Sequence, residues 1–595
     1  MRCPGTLPGC IATPYGGNRA LVALPWKNFG LYFLIPEGVV MTSGVGYGVC
    51  CIGIGFSKMI KILVADKIAD EGLDLLKSQP DVELTNKPKW NPGELAAEIG
   101  KHDGAIIRSG VKIKASELEN PGRLKAIARA GVGVDNVDVT AATKAGVLVM
   151  NTPDANTITT AEHAITLMMA LSRKIAGADA HVRAGLWERN KYMGTQLAGK
   201  TLGIIGFGRI GRAVAKRALG LEMKVVAFDP FFFANNALDG QVSMTHDIES
   251  LLPLCDYITV HVPGDKTKGL IDAAKMALCK KGVRFINCAR GGVISEKDLA
   301  EAIASGHVAG AALDVFETEP PTKESPLFAL GDKVLLTPHL GASTNEAQTA
   351  VSIDAVNEIL LYLRGQGIEG AVNAGGIEMN LSAPEKAYAD LAVRMGIILG
   401  AIAEKGFSSI TLRTNGELPK RIAATLQRLA VIELLKGHVD QTPNVVNVLH
   451  LAEQRGISIR QETMGQAMQR TLQHSIELEI TEGDKRHSTI GTVFADNLPR
   501  VLAIKGYWMD MVPEGAMALI VNKDRPGVIG FVGNTFGHQN INIADMTISR
   551  KGDKALMLLK LDASPTAECL AALQKDSGIE VVKTFVLPAL PSAGA

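Results

Sequence analysis

The sequence predicts an α/β protein: two lobes built on parallel sheets, a mixed α/β region, and a small C-terminal domain with the order βαββαβ. From Met59 onward, short apolar runs alternate with amphipathic helical segments, which is typical of parallel sheets covered by helices. One apolar run is followed by a glycine pattern that favours phosphate binding, and the end of the chain alternates as βαββαβ. The 595 residues are enough for three or more domains.

Composition excludes several classes of partner. The 62 Lys and Arg residues nearly balance the 61 Asp and Glu residues, giving a formal net charge of +1. Such a balance favours neither a nucleic-acid surface nor an anionic membrane surface. The eight cysteines form no C-x-x-C pair and have no metal-ligand spacing. We therefore expect a reduced, cytoplasmic chain without a metal.

Residues 1–58 differ from the rest of the chain. They are rich in Gly, Pro and aromatic residues, and carry few charges. Three interpretations remain: a targeting peptide, a membrane anchor using the apolar stretch Gly38–Phe56, or an extension translated from a misplaced start. The pattern favours the third, because Met59 opens a clean first strand. We expect 1–58 to be disordered or missing from the mature protein.

The first lobe should contain five parallel strands. They are predicted at Lys61–Ala65, Val82–Thr85, Gly104–Ile107, Leu124–Arg129 and Val147–Met150. Arg108 and Arg129 stand at the ends of two of these strands, where they could bind an anionic substrate. The alternative is that both are ordinary surface arginines. Thr157–Ile175 then predicts one long apolar helix that joins the two lobes.

The second lobe opens with a glycine-rich turn. An apolar run at Thr201–Ile205 leads into Gly206, Gly208 and Gly211 as G-x-G-x-x-G, and a helix is predicted at Arg212–Leu219. The first glycine permits the tight turn, the second admits a pyrophosphate, and the third lets the helix pack on the strand.

Asp229 follows the next strand, Val225–Phe228, 18 residues after Gly211. A carboxylate there can accept from both ribose hydroxyls and repels a 2′-phosphate, so NAD is favoured over NADP. The alternative is a glycine-rich turn without a ligand.

Four later strands of this lobe end in chemically active residues. The strands are predicted at Tyr257–Val260, Arg284–Asn287, Gly310–Leu313 and Val334–Leu336. Ligands of open parallel sheets bind beyond the carboxyl ends of the strands. The sequence therefore delivers four side chains to the expected cofactor edge: Arg290, Asp314, Glu319 and His339.

These residue types suit hydride transfer from a hydroxy acid. Arg290 can hold a carboxylate or polarise an oxygen, and His339 can take the hydroxyl proton. Glu319 would fix the imidazole, while Asp314 could accept from the nicotinamide carboxamide or support the site. Taken singly, each has another interpretation: Arg290 as a solvated turn residue, Glu319 as a loop acid, and His339 as a buried, hydrogen-bonded histidine.

Two further regions follow the second lobe. A long helix at Ala342–Leu363 is predicted to return to the first lobe. Beyond residue 370, helices are predicted at Glu385–Glu404 and Pro419–Lys436, and strands at Ser409–Thr414 and Ser475–Ile480. From Ala516 the alternation predicts the ferredoxin-like plan, with strands at 516–522, 541–549, 554–561 and 578–584 and helices at 526–538 and 565–575.

Several ordered motifs resemble those of NAD-dependent D-2-hydroxyacid dehydrogenases. They are NCARGG (Asn287–Gly292), ALDVFETEP (Ala312–Pro320) and TPHLGAST (Thr337–Thr344). RAGVGVDNVDV (Arg129–Val139), NTPDANTITTAEH (Asn151–His163) and the C-terminal alternation narrow the resemblance to the long-form D-3-phosphoglycerate dehydrogenase family. The resemblance covers Met59 to about residue 585.

The resemblance implies two flavodoxin/Rossmann-like lobes, an intervening domain and an ACT domain. The implied boundaries are 59–156 with 340–370 for the substrate-binding domain, 157–339 for the NAD-binding domain, 371–512 for the intervening domain and 513–595 for the ACT domain. It also implies NAD-dependent oxidation of 3-phosphoglycerate to 3-phosphohydroxypyruvate, the entry step of serine synthesis.

Site residues are carried over onto matching positions only. Arg290, Glu319 and His339 would be catalytic, and Arg108, Arg129 and Arg290 would bind substrate. Contacts with NAD are implied for Gly206, Gly208, Arg209, Ile210, Gly211, Asp229, Cys288, Ala289, Arg290, Asp314, His339 and Gly341. Val132 and Val262 stand where the family often has threonine, which puts side-chain contacts there in doubt.

For the C-terminal domain, the resemblance implies feedback inhibition by L-serine, with Asn522, Asp524 and Asn542 as regulatory residues in a homotetramer. A purely structural, dimerising role is the alternative for this domain.

Two other functions stay open at this point. One is another D-2-hydroxyacid dehydrogenase or reductase, acting on glyoxylate, hydroxypyruvate or 2-oxoglutarate. The other is an NAD-sensing, corepressor-like binding protein. The domains beyond residue 370 argue against both.

Overall fold

The computed structural model describes residues 11–14, 19–23, 33–36, 59–231, 238, 240–264, 267–404, 406–439, 441–465, 472–494 and 497–590. Met1–Ser57 and Lys58–Ala595 are two separate compact units. In the first unit, strands Ile11–Pro14, Arg19–Ala23 and Phe33–Pro36 pair antiparallel in chain order, which the sequence pattern did not predict. The rest of the predicted 1–58 extension lies outside the described residues, so its three interpretations stay predictions.

The first lobe has the five predicted parallel strands, with ends shifted by one or two residues. They run at Ile60–Val64, Val82–Asn86, Gly104–Ile107, Ala126–Arg129 and Leu148–Asn151, in the spatial order second, first, third, fourth, fifth. Helices Asp70–Lys77, Glu94–Ile99, Ala115–Leu118 and Val139–Lys144 connect them. Most residues of the three central strands are fully buried because helices cover both faces of the sheet.

The connecting helix is shorter than predicted. Thr157–Arg173 ends at Lys174, whose φ of 51° is left-handed, and a second helix covers Ile175–Arg183. Ala161, Leu167 and other apolar residues of the first helix are buried against the seven-stranded sheet, whereas Ile175 and Val182 are exposed. The apolar run therefore continues across a break between two helices with different surroundings.

The second lobe is a seven-stranded parallel sheet. Its strands are Thr201–Ile205, Lys224–Phe228, Val242–Met244, Tyr257–Val260, Val283–Asn287, Val308–Leu313 and Val334–Leu336, in the order third, second, first, fourth, fifth, sixth, seventh. The main helices are Arg209–Gly220, Ile248–Leu251, Ala273–Leu278 and Glu296–Ala304. The strand order reverses between the first and fourth strands, where a ligand crevice is expected.

Helix Asn345–Leu363 completes the first lobe after the chain has left the second. The Ala69 N–H donates to Ser352 Oγ at 3.1 Å, and Arg364 Nη2 pairs with Asp81 Oδ1 at 2.6 Å. The helix begins three residues after the predicted Ala342, because Thr344 caps it by accepting the Ala347 N–H.

The third region is a six-stranded sheet with helices packed on it. The strands are Ser409–Asn415, Ser458–Thr463, Ser475–Glu482, Lys485–Val493, Pro499–Ile504 and Tyr507–Met511, and the helices are Ala383–Ile402, Glu417–Arg421, Ala423–Leu435 and Val448–Gln454. Two of the strands were predicted and four were missed. The helix predicted at Pro419–Lys436 is two helices that meet at Ile422.

The C-terminal region confirms the ferredoxin-like prediction. It contains Gly515–Lys523, Val528–His538, Ile543–Lys551, Lys554–Leu561, Ala567–Leu573 and Ile579–Leu587 as strand, helix, strand, strand, helix, strand. The antiparallel sheet has the order second, third, first, fourth.

Arg394 joins the third region to the C-terminal one. Its side chain is 1% exposed and donates to the carbonyl oxygens of Pro513 at 2.6 Å and Ala589 at 3.2 Å. Within the described residues, no helix is both long and apolar enough to cross a membrane.

Candidate active site

The three glycines of the G-x-G-x-x-G turn have three different surroundings. Gly206 has a φ of +94°, and a Cβ there would collide with the His261 carbonyl. A Cβ at Gly211 would collide with the Gly206 carbonyl, whereas a Cβ at Gly208 would meet nothing within 4 Å. The first and third glycines therefore serve the turn and the helix packing, and the second leaves open space for a pyrophosphate. The helix begins at Arg209 rather than Arg212, so its free N–H groups lie at this opening.

Asp229 lies at the end of the second strand, beside the glycine turn. Its Oδ2 accepts the Phe207 N–H at 2.8 Å and its Oδ1 accepts the Phe231 N–H at 2.8 Å. A carboxylate offers about four acceptor positions, so two remain for the hydroxyls of a ribose. Together with the open space at Gly208, this carboxylate fits a dinucleotide.

Arg209, the first residue of the helix, forms an ion pair across the lobes. Its Nε lies 2.6 Å from Asp154 Oδ1, and both side chains are more than half exposed. A pyrophosphate at the helix N-terminus would compete with Asp154 for this guanidinium.

A cavity of about 390 Å³ lies between the two lobes, next to the glycine turn. Residues from both lobes line this cavity, and most of them lie just after a strand or near the start of a helix. The lining residues are Val132, Gly133, Val134, Asp135, Asn156, Thr160, Ile210, His261, Val262, Pro263, Gly264, Cys288, Ala289, Arg290, His339, Gly341 and Ala342. The sequence-predicted residues Ile210, Cys288, Ala289, Arg290, His339 and Gly341 are thus brought together.

His339 and Glu319 form the expected acid–imidazole pair. His339 Nδ1 lies 2.8 Å from Glu319 Oε2, and Glu319 Oε1 accepts the Phe316 N–H at 3.1 Å. The pair leaves Nε2 of the imidazole available to accept a proton from a ligand. The backbone of His339 is left-handed, with a φ of 55°, which is rare for a residue with a Cβ.

Asp314 is fully buried beneath this pair, and its carboxylate is bonded within the protein. Oδ1 accepts from His163 Nε2 at 3.1 Å, Thr337 Oγ1 at 2.6 Å and the Leu340 N–H at 2.7 Å. Oδ2 accepts the Gly341 N–H at 2.8 Å. Of the two roles expected for Asp314, the geometry favours support of the site over contact with the nicotinamide.

Two opposing effects set the pKa of Asp314. Burial raises the pKa, but the hydrogen bonds from His163, Thr337 and the Leu340 N–H stabilise the ionised form more strongly. The pKa therefore lies below its ordinary value, and the carboxylate is ionised.

Arg290, Arg129 and Arg108 act on one another electrostatically, but only Arg290 is among the residues that line the cavity. Burial lowers the pKa of Arg129 to about 10, and the positive charges of Arg290 and Arg108 add to this, while Asp135 opposes it. Arg129 Nε is buried without a hydrogen-bond partner among the described residues. The repulsion between the positive arginines and the unpaired N–H of Arg129 together indicate a site that binds an anionic ligand.

One glycine and two acids lie around these arginines. A Cβ at Gly133 would collide with the Arg290 guanidinium, and Arg290 Nε lies 3.3 Å from Asp135 Oδ2. Asp66 Oδ2 accepts the N–H groups of Arg108 at 3.1 Å and Gly110 at 2.8 Å. The Arg108 guanidinium itself donates only to the Lys67 carbonyl among the described contacts, at 3.1 Å.

Neither the thiol nor the second imidazole in the cavity wall is charged. Burial raises the pKa of the Cys288 thiol, and the carboxylate of Asp314 adds to this effect. Burial lowers the pKa of His261 to about 4, and its Nε2 bonds to Thr259 Oγ1 at 3.0 Å. Both side chains are therefore uncharged parts of the cavity wall and do not transfer protons at neutral pH.

The predicted regulatory residues are only partly brought together. A cavity of about 810 Å³ in the C-terminal domain is lined by Asn522, Asp524 and the start of helix Val528–His538, but not by Asn542. The register pairs Asn522 with Ala555, whereas Ile543, next to Asn542, pairs with Leu561 at the opposite end of the sheet. Asn522 and Asn542 of one chain cannot contact the same small ligand.

Sequence reasoning missed several residues that shape the site. Thr337, Asn287 and Asp66 follow or end strands, so the strand-end rule that found Arg290 could have found them. Asn287 Nδ2 donates to the Arg290 carbonyl at 2.9 Å. His163 lies inside a helix, and no spacing pattern marked it.

Two family models match parts of the chain. The family model for the NAD binding domain of D-isomer specific 2-hydroxyacid dehydrogenase matches residues 165–341. The model for the D-3-phosphoglycerate dehydrogenase intervening domain matches residues 385–505.

Two full-length relatives bear the same name. The D-3-phosphoglycerate dehydrogenase of Archaeoglobus fulgidus is 40% identical over 528 residues, which is 87% of this chain and 98% of the relative. That of Methanocaldococcus jannaschii is 38% identical over 533 residues, covering 89% of this chain and 100% of the relative. Both matches extend over nearly the whole length of the relative.

Proposed function

The chain belongs to the D-3-phosphoglycerate dehydrogenase family, a group of NAD-dependent oxidoreductases, and we propose that its own substrate is 3-phospho-D-glycerate. The product would be 3-phosphohydroxypyruvate, in the first step of L-serine biosynthesis. The observation that carries this proposal is the pairing of His339 with Glu319 at 2.8 Å in a cleft that also contains Arg290.

We propose that the three arginines bind the two anionic groups of the substrate, Arg290 at one group and Arg108 and Arg129 at the other. Arg290 lines the same cavity as His339 and would hold the carboxylate and the C2 oxygen. Arg108 and Arg129, on the first lobe, would meet the remaining negative charge. The lowered pKa of Arg129 supports this, because a bound phosphate would relieve the repulsion between the arginines.

The reaction moves two electrons and two hydrogen nuclei. NAD, which Asp229 and the open space at Gly208 would hold, would supply the acceptor for the hydride that leaves C2 of the substrate. His339 Nε2 accepts the proton of the C2 hydroxyl, so that the C–O bond becomes a carbonyl. Glu319 stabilises the resulting imidazolium and fixes the Nδ1–H tautomer.

The substrate is tested with a matched pair of compounds. Purified protein with NAD should produce NADH from 3-phospho-D-glycerate, but much more slowly from D-glycerate, which lacks only the phosphate. Arg129→Met should reduce kcat/KM for the phosphorylated compound far more than for glycerate. Equal use of both compounds would contradict the proposed substrate.

The same assay separates the alternatives. Faster turnover of glyoxylate, hydroxypyruvate or 2-oxoglutarate in the reducing direction would identify a small-acid reductase. NAD binding without turnover of any of these compounds would identify a binding protein.

We further propose that the cavity at Asn522 and Asp524 binds L-serine and inhibits the enzyme. Asp524 can pair with the ammonium group, and the N-terminus of helix Val528–His538 suits the carboxylate. Asn522 Oδ1 is buried without a hydrogen-bond partner among the described residues, which leaves an acceptor for the ligand. Because Asn542 lies at the opposite end of the sheet, it could reach this ligand only from a second copy of the chain.

Serine inhibition in two variants tests this site. Asn522→Ala should raise the serine concentration needed for half inhibition by about tenfold, the equivalent of about 1.4 kcal/mol. Asn542→Ala should have the same effect if a second copy completes the site, and none if one chain suffices. Unchanged inhibition in Asn522→Ala would remove this cavity from the regulation and favour a purely structural role for the domain.

We propose that the protein is a homo-oligomer and that the segment after the connecting helix takes part in the contact. Val182, Leu186, Trp187 and Met193 are 54%, 52%, 75% and 74% exposed. Four large apolar side chains exposed within one short segment favour an interface there. Trp187→Glu should lower the mass measured by light scattering, whereas Trp508→Glu, at another exposed tryptophan, should not.

A further inference from the structure

His163 lies on the connecting helix and reaches the active site through Asp314. Its side chain is 17% exposed, and Nε2 lies 3.1 Å from Asp314 Oδ1 and 3.4 Å from Thr337 Oγ1. An ionised carboxylate has no hydrogen to give, so Nε2 must carry the hydrogen of this bond. His163 therefore donates to a buried acid that itself bonds the loop of the catalytic histidine.

The loop at His339 depends on Asp314 in three places. The His339 N–H donates to the Asp314 carbonyl at 2.9 Å, the Leu340 N–H to Oδ1 at 2.7 Å and the Gly341 N–H to Oδ2 at 2.8 Å. These bonds hold His339 in its left-handed conformation, which is unfavourable for a residue other than glycine. The connecting helix adds one more contact, from Thr160 Oγ1 to the Gly341 carbonyl at 3.1 Å.

The ionised form of Asp314 is needed for this arrangement. A protonated carboxyl has one oxygen that donates rather than accepts, so the carboxyl could no longer serve all four of its donors well. The titratable groups that face Asp314 are His163 from the connecting helix, Cys288 from the end of a neighbouring strand, and the His339–Glu319 pair above it.

We infer that His163 is a positioning residue for hydride transfer: by donating to Asp314, it keeps the His339 loop in the conformation that aims the imidazole at the substrate. This role rests on the proposed function of His339 as the proton acceptor. His163 is not among the residues that line the cavity, so it acts through the carboxylate of Asp314. Thr337 assists it, since its hydroxyl donates to the same oxygen at 2.6 Å.

Three variants test the role of His163. His163→Leu removes the donor at similar size, and His163→Gln restores an N–H at about the same reach. His307→Leu is the matched control, because His307 is a half-buried histidine of the same lobe whose Nε2 lies 3.0 Å from the Met276 carbonyl. We expect kcat to fall by about tenfold to a hundredfold in His163→Leu, a loss typical of a misplaced catalytic group, with KM for substrate within about threefold. His163→Gln should recover most of the activity.

The pH dependence gives a signature that a merely structural role would not. Without the donor, fewer hydrogen bonds oppose the effect of burial, so the pKa of the Asp314 carboxyl should rise. The kcat deficit of His163→Leu should therefore grow as the pH falls from 9 to 6. The deficit in Tm should instead grow as the pH rises, because a group whose folded pKa is raised loses stability when it must ionise.

These outcomes separate the inference from the proposed function. Inactivity of the unaltered protein with 3-phosphoglycerate would count against the substrate, while the Tm series would still test the bond between His163 and Asp314. A kcat that is unchanged in His163→Leu, or equally low in His163→Gln, would overturn the positioning role. A Tm deficit with no pH dependence, as expected for His307→Leu, would also overturn it.

Discussion

Two carboxylates that stand five positions apart in the sequence take opposite roles because of their surroundings. Glu319 is 38% exposed and bonds the catalytic imidazole, whereas Asp314 is 0% exposed and bonds the backbone beneath it. A carboxylate at the surface can exchange partners when a ligand arrives, while a buried one with four donors is fixed. Residue type therefore predicts what these side chains can do, and burial decides which of those roles each one takes.

The first prediction concerns the proton acceptor. His339→Ala should lower kcat by at least about a hundredfold, the low end for general acid–base catalysis, because no other imidazole in the cavity wall can take the proton at neutral pH. Steady-state NADH formation measures the effect. His307→Ala, with the same substitution outside the cavity, should keep its kcat. An unchanged kcat in His339→Ala would reject the assignment.

The second prediction concerns the choice of cofactor. Asp229→Asn keeps an acceptor at the ribose position but removes the charge that repels a 2′-phosphate, so the ratio of kcat/KM for NAD over NADP should fall by about tenfold or more. Asp256→Asn is the control, since Asp256 accepts the Thr201 N–H at the other end of the same sheet. If the unaltered protein prefers NADP, the role given to Asp229 is wrong.

Strand ends explain which site residues could be predicted. Arg290, His339 and Asp229 follow apolar strands, and parallel strands bring their carboxyl ends to one edge. His163 was not predicted because its partner, Asp314, is 151 positions away in the sequence. The helix that contains His163 also has the apolar pattern of an ordinary core helix. The resemblance placed Asn542 in the same site as Asn522. Only the strand register shows that the two residues lie at opposite ends of the sheet within one chain.

At the scale of single elements, apolar periodicity predicted the parallel sheets better than the sheet of the third region. Strands buried on both faces show continuous apolar runs, and all five of the first lobe were found. Ser458–Thr463 is mostly exposed, and Lys485–Val493 carries polar residues along much of its length, so neither shows such a run. Their pairing with neighbouring strands, which is not local, determines their structure.

The third prediction separates two glycines of one turn. Gly211→Ala should lower the free energy of unfolding by about 1–3 kcal/mol, because the new methyl group would collide with the Gly206 carbonyl. Gly208→Ala should leave the unfolding free energy nearly unchanged, since a Cβ there meets nothing within 4 Å. It should nevertheless weaken NADH binding by occupying the space expected for the pyrophosphate. Calorimetry and NADH fluorescence titration measure the two effects, and equal unfolding losses would contradict this distinction.

At the scale of the whole molecule, a group of acids lies where helix Asn345–Leu363 meets the end of the first lobe. Glu358 is 8% exposed, and burial raises its pKa to about 8, with Asp354, Glu369 and Asp154 adding negative charge. Its Oε2 has no hydrogen-bond partner among the described residues. The carboxyl is therefore protonated in the folded protein at neutral pH.

The fourth prediction follows from this acid. The pKa of Glu358 is higher in the folded than in the unfolded chain, so stability is lost as the pH rises from about 4.5 to about 8. The Glu358→Gln variant lacks this loss of stability. The Tm of the variant minus the Tm of the unaltered protein should therefore increase over the same pH range. Glu346→Gln, on the exposed first turn of the same helix, should show no such trend. A constant difference in Tm for Glu358→Gln would contradict the prediction.

The return of helix Asn345–Leu363 to the first lobe has a consequence for synthesis. Ala69 and Ser352, which bond to each other, are 283 residues apart, and the second lobe lies wholly between them. At the usual rate of about 5–20 residues per second, the ribosome needs roughly 15 to 60 s to deliver the later residue. During that interval the nascent first lobe lacks the helix that covers one face of its sheet, whereas the second lobe can fold as soon as it emerges. In ribosome-bound chains that end before Asn345, the first lobe should therefore need chaperones, whereas the second lobe should not.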